Sequence, residues 1–157
     1  MRTSERRFAE GTSVPASRTK YEIEAVLMDY GATHFGTLNS PEGARIVFRF
    51  KERNFAIPIP IPDRNDPEFR LTPGRQLERS DAEATRAWQQ EVDRRWRCLL
   101  IVVKSAVEMC KMGVFKFEDV FLAWTALPDG RTVGEAVESQ LAIAPASGQV
   151  IEGEVNS

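Results

Sequence analysis

The chain has 157 residues, 42% of them hydrophobic and 28% charged, and its 21 Lys+Arg against 23 Asp+Glu leave a net charge of −2. That length suits one domain with a core of its own, and the balanced charge supplies no strong electrostatic pull toward nucleic acid or an anionic membrane surface. The longest uninterrupted apolar run, Cys98 to Val103, is far short of the roughly 18 to 20 residues that span a bilayer, and no apolar signal segment opens the chain, so a cytoplasmic protein with no membrane partner is expected.

Residues 1–16 carry Arg2, Arg6 and Arg7 without any hydrophobic period and read as a disordered arm. Thr19 to Glu22 has the pattern of a capping box. It opens a helix whose apolar face is Ile23, Val26, Leu27 and Tyr30 and which Gly31 ends. Thr33 to Leu38 reads as a first strand and Asn39 to Gly43 as its turn. In the second strand, Ala44 to Phe50, the residues Ala44, Ile46, Phe48 and Phe50 alternate with polar neighbours, so one face is core and the other wet. After a turn at Lys51 to Asn54, Phe55 to Pro62 sets Phe55, Ile57, Ile59 and Ile61 toward the core. Pro58, Pro60 and Pro62 remove N–H donors along one side of that strand. It therefore reads as a sheet edge closed to further pairing; display of the prolines to a groove-binding partner is the alternative.

Residues 63–79 form a long polar connection that carries Arg64, Arg70, Arg75 and Arg79. Ser80-Asp81 then opens a long helix that runs to Met112 and stops at Gly113. Trp88, Val92, Trp96, Leu99, Val103, Ala106 and Cys110 fall in one sector of it about 80° wide. The apolar run from Cys98 to Val103 surrounds the axis, which predicts burial on all sides. Arg79, Arg86, Arg97, Lys104 and Lys111 lie within about 40° of one another, a stripe that the buried middle divides into two basic ends. A short helix over Glu118 to Ala126 follows, with Val120, Phe121 and Trp124 as packing residues, and then a turn at Leu127 to Gly130. A second capping box, Thr132 and Glu135, starts a last helix, and residues 145–157 read as a disordered acidic tail. The expected architecture is α+β in a single domain over 17–144: a helix, a three-stranded antiparallel meander, a long central helix and two short C-terminal helices.

Motifs that carry chemistry are scarce. His34 is the only histidine, and Cys98 and Cys110, about 18 Å apart on a helix, are too distant for a disulfide. No metal site, cofactor or catalytic residue is expected, and neither a nucleotide-binding loop nor a nucleophile elbow occurs, so the chain does not read as an enzyme. Leu127 to Gly134 looks like a phosphate cradle only in its glycines, since no lysine accompanies it. The densest cationic region offers a nucleic-acid site: Arg70, Arg75, Arg79, Arg86, Arg94 and Arg97 against the phosphates of single-stranded or duplex DNA, with Trp88 stacking a base. Asp63, Asp66, Glu68, Glu78, Asp81, Glu83, Glu91 and Asp93 are interleaved with these cations and offer to pair with them instead. The alternative, from a different class, is a protein-binding module using apolar surface on the last two helices or the proline edge; homo-oligomers are compatible with either.

Tyr30-Gly-Ala-Thr-His-Phe35, the hairpin running into the apolar-proline strand, Trp96-Arg-Cys-Leu-Leu-Ile-Val-Val-Lys104 and Leu127-Pro-Asp-Gly-Arg-Thr-Val-Gly-Glu135 together resemble a family of small uncharacterised proteins encoded by bacteriophages and prophages. The resemblance covers about residues 17–143 and assigns no functional residue. It implies a cytosolic setting in an infected or lysogenic cell, where small non-enzymatic proteins handle DNA or inhibit or redirect a host or phage protein. The order of three strands and a long helix is also similar, in topology, to the core of phage single-strand annealing proteins.

Overall fold

The structure, a computed structural model, describes residues 14–141. The tail expected at 145–157 lies outside them, as does the arm expected at the N-terminus up to residue 13. The elements are helix α1 (Ala16–Asp29), strands β1 (Thr33–Ser40), β2 (Gly43–Phe50) and β3 (Arg53–Pro60), a single helical turn α2 (Pro67–Arg70), the long helix α3 (Asp81–Lys111), and α4 (Phe117–Val120). A 3-10 turn (Leu122–Trp124), α5 (Val133–Val137) and a last 3-10 turn (Glu138–Gln140) complete an α+β fold.

The meander is antiparallel in the order β1-β2-β3. Two-residue connections join its strands, Pro41-Glu42 and Lys51-Glu52, both shorter than the turns read from the sequence. Gly43 makes the first possible. Its φ is +146°, and a Cβ there would lie 2.3 Å from the Ile59 carbonyl oxygen of the neighbouring strand. The alternation read in β2 holds, with Ala44, Ile46, Phe48 and Phe50 buried. β3 is the edge its prolines predict: Pro58 and Pro60 are exposed while Phe55, Ile57 and Ile59 are buried. The start of its outer side is closed separately by Thr125, which bridges Phe55, and by Ala126, whose N–H donates to the Asn54 carbonyl at 2.8 Å.

α3 begins with the expected cap. The Ser80 hydroxyl accepts from the Glu83 N–H and the Glu83 carboxylate accepts from the Ser80 N–H, which satisfies two of the donors a helix start leaves open. Gly113, at φ +73°, ends it. Trp96, Leu100, Val103, Val107 and Cys110 face one core with the inner residues of the sheet. At the end of that core Phe117 packs on Phe50 and Phe121 with ring centroids at 4.2 and 4.4 Å. Such aromatic pairs contribute about 0.5 to 1.5 kcal/mol each beyond their area.

Four expectations are corrected. First, α1 starts at Ala16, so Thr19 is not a cap; it is fully buried inside the helix, with its hydroxyl 3.5 Å from the Pro15 carbonyl. The open N-terminus is instead served by α3, where Asp93 accepts from the Ala16 N–H at 2.9 Å. Second, the 63–79 segment read as a long polar connection has structure of its own: Pro67–Arg70 forms α2, Phe69 is buried, and Leu71 bridges Glu78. Third, the helix expected over Glu118 to Ala126 is broken into α4 and a 3-10 turn, because the chain must become extended at Thr125 to reach β3. Fourth, α3 is not buried on all sides. Leu100 is 1% exposed, but Ile101 is 37% and Val102 51% exposed.

Candidate interaction surface

The seven residues read as a nucleic-acid site do not form a free cationic patch. Arg70 reaches Asp81 at 2.6 Å and Asn65 at 3.2 Å. Arg79 donates to the Glu68 and Phe69 carbonyls at 3.4 and 3.2 Å, closing the C-terminal end of α2, where helix carbonyls lack partners. Arg94 binds both oxygens of Glu91 at 2.8 Å, and Arg95 shares that carboxylate at 3.1 Å. The Arg94 hydrogen bond is the main reason the Glu91 carboxyl lies below its ordinary pKa. Arg97 points to Glu22 of α1 at 3.4 Å. Trp88 is half-buried, its indole N–H donates to the Pro62 carbonyl at 2.8 Å, and the Arg64 guanidinium lies 5.3 Å from the ring centroid. Of these seven, only Arg75 and Arg86 have exposed side chains with no hydrogen bond or ion pair among the described residues.

The C-terminal end of the basic stripe on α3, Arg97, Lys104 and Lys111, is likewise occupied. α1 runs parallel to α3, so Ala16 lies at Asp93, Glu22 at Arg97 and Lys104, and Asp29 at Lys111, the last pair at 3.0 Å. The acids of one helix neutralise the cations of the other.

Among the described residues, the outer side of α3 is a surface that no other element covers. Its buried seam, Trp96, Leu100, Val103, Val107 and Cys110, advances by four and three residues alternately. A second set with the same spacing, Cys98, Val102, Ser105, Met109 and Met112, is displaced from the first by two residues, or about 200°. Val102 and Met112 are 51% and 66% exposed, Ser105 is exposed, and Cys98 and Met109 are half-buried. Ile101 flanks this seam, and Val114 and Phe115, both about half exposed, follow the helix end in the chain. The strip is about 21 Å long from Cys98 to Met112. At its N-terminal end sit Glu91, Arg94 and Arg95, and along its side Glu108.

The spacing was present in the sequence, but an apolar run that surrounds the axis hides which faces other elements will cover. Of the two thiols, Cys110 is buried and burial pushes its pKa up, which suits a packing residue; both cysteines are free. Among the described residues no group of three His, Cys, Asp or Glu could hold a metal ion, and no helix is long and apolar enough to cross a membrane. No protein-family model matches the chain, and no curated protein and no solved structure is detectably similar to it.

Proposed function

We propose that this chain is a non-catalytic protein-binding module, of the kind with which a bacteriophage or prophage inhibits or redirects a host or phage protein, and that the outer seam of α3 is its docking face. The observation that carries the reading is the second apolar seam, exposed at Val102 and Met112 on the side of α3 away from the core. Contiguous apolar surface of this kind marks interaction sites more often than chance exposure, and a row of side chains at helical spacing is the shape that receives an apolar partner. Pairing of Arg70, Arg94 and Arg97 with acids removes much of the charge that a phosphate-binding reading would use. The test compares the tagged full chain with a Val102→Glu/Met109→Glu variant in lysate of infected cells. A protein retained by the first and lost by the second, with equal circular dichroism for both, supports the reading; identical retention removes the seam as the site.

A second reading keeps nucleic acid, because Arg75 and Arg86 remain exposed and uncommitted. Two phosphate contacts give a weak, salt-sensitive interaction with a log-log salt slope of about 1.4 to 1.8. A low-salt gel shift with single-stranded and duplex DNA that Arg75→Glu/Arg86→Glu abolishes supports it, and no shift at low salt ends it.

A further inference from the structure

We infer that the open edge of the sheet, β1, pairs antiparallel with β1 of a second copy of this chain, a contact that uses no residue of the α3 seam. A meander of three strands has two edges. β3 closes its own with Pro58, Pro60 and the bridge from Phe55 to Thr125. β1, Thr33-His-Phe-Gly-Thr-Leu-Asn-Ser40, contains no proline and no charge, and among the described residues nothing bridges its outer side. Which of its backbone groups are open follows from the register. The Asn54 carbonyl accepts from the Ala126 N–H outside the sheet. Pro58 and Pro60, an even number of residues further on, therefore also turn outward, and Arg45 and Gly43 opposite them turn toward β1. Leu38 and Ser40 stand opposite those two residues and bond to them. The N–H and C=O groups of Thr37 and Asn39 are left pointing away from the sheet.

The ends of the strand and the residue at its middle choose the occupant. The ladder is irregular between Thr33 and Gly36, where His34 has a φ of +57°, and Pro41, which lacks an N–H, follows Ser40. The usable window, Gly36 to Ser40, is centred on Leu38 with one open residue on each side, so it is complementary to itself. A two-fold axis at Leu38 sets each Thr37 against the Asn39 of the second copy, and each such pair exchanges both of its backbone hydrogen bonds. An axis at Thr37 would bring Phe35 of the irregular segment into the ladder, and one at Asn39 would bring in Pro41. Leu38 lies opposite Arg45, on the face away from the buried Ile46, and is 59% exposed. At the axis it meets its counterpart as a pair without mutual hydrogen bonds, the arrangement that brings side chains closest. Arg45, the charge beside it, is already paired with Glu135. Because β3 is closed, growth stops at two copies and one continuous sheet. A contact of one short strand falls at the small end of specific interfaces, so the dimer forms as concentration rises.

Sedimentation equilibrium of the full chain over a wide range of concentration tests this. The mass is expected to rise from 17.7 kDa toward twice that value and no further. Asn39→Pro removes an N–H that points away from β2, and is expected to hold the chain monomeric with unchanged circular dichroism. Leu38→Lys, which decides the matter should the first variant lose its fold, is expected to weaken association about tenfold or more by setting like charges across the axis. Leu38→Cys in a Cys98→Ser background reads the register: the two Cα atoms would lie about 4.5 Å apart, within disulfide reach, so mild oxidation is expected to give a covalent dimer. A chain that stays monomeric at every concentration overturns the self-pairing and leaves the edge to an extended segment of another protein. A dimer indifferent to both Asn39→Pro and Leu38→Lys uses another surface and overturns it too. A dimer sensitive to them in which Leu38→Cys forms no crosslink overturns the register centred on Leu38.

Discussion

Leu100→Ala and Val102→Ala change residues two apart in the same apolar run, yet their effects on stability should differ by several kcal/mol. Leu100 is 1% exposed and faces the sheet. Its truncation removes three carbon groups at about 0.8 kcal/mol each, or about 2.4 kcal/mol. A cavity of about 50 to 80 Å³ left behind, at about 24 cal/mol per Å³, adds about 1 to 2 kcal/mol. The total, near 4 kcal/mol, lowers the melting midpoint by about 8 to 16 °C in a chain of this size. Val102 is 51% exposed. Its truncation loses about half the transfer energy of two carbon groups, about 0.8 kcal/mol, and regains about 0.5 kcal/mol because alanine is the better helix former. The net change should lie within about 0.5 kcal/mol. Urea unfolding measures both. A loss above about 2 kcal/mol for Val102→Ala would mean that this side of α3 is enclosed after all, and the two-seam description would fail.

Replacing Pro58 and Pro60 by valine restores two N–H donors on the outer edge of β3, so light scattering should show faster aggregation on mild heating while the melting midpoint changes little. Ser80→Ala and Thr132→Ala each remove a capping-box oxygen and should cost about 0.5 to 2 kcal/mol in urea unfolding. Acid should destabilise the fold through a named set of carboxylates. Glu91 is held below its ordinary pKa mainly by the Arg94 hydrogen bond, Glu118 by that of Lys51, and Glu135 by the Thr132 N–H and then Arg45. Because the folded values are depressed, the stabilisation is complete above the ordinary glutamate value of 4.5 and is lost as pH falls through the lower folded values. Melting midpoints measured by pH should therefore be flat on the neutral side and decline below that value, with the decline shallower in Glu135→Gln.

What the sequence disclosed and what it hid follow from the range of the interaction involved. The β2 alternation, the proline edge of β3 and the Ser80 and Thr132 caps are set by neighbours a few residues away, and each appears in the structure where its pattern stands. The partners of the α3 stripe were not legible because they are distant in the chain, Arg97 meeting Glu22 across 75 residues and Lys111 meeting Asp29 across 82, whereas Arg70 and Arg94 take nearby acids, Asp81 and Glu91, that the sequence already interleaves with them. Thr19 and Glu22 carry a capping pattern that tertiary contacts overrode, since the helix gains an extra turn by using Asp93, 77 residues away from Ala16. The outer seam of α3 was hidden by its own hydrophobicity. Periodicity reports which residues are apolar, and only the packed fold reports that the sheet and α1 leave one side of α3 uncovered.

The carboxylate that α3 lends to the start of α1 also governs how the molecule opens. α1 has 14 residues, Pro15 before it supplies no side-chain hydrogen bond, and its first turn contains no acid, so as a free segment it would be a marginal helix at most. Its ordered state is conditional on docking: the Asp93 cap, the Glu22 and Asp29 ion pairs and the buried Ile23 and Leu27 are all lost in the same movement. The amides of α1 are therefore expected to exchange with solvent in one cooperative opening and not by fraying from Ala16 inward, an opening that would uncover the flank of α3 that carries Arg97, Lys104 and Lys111.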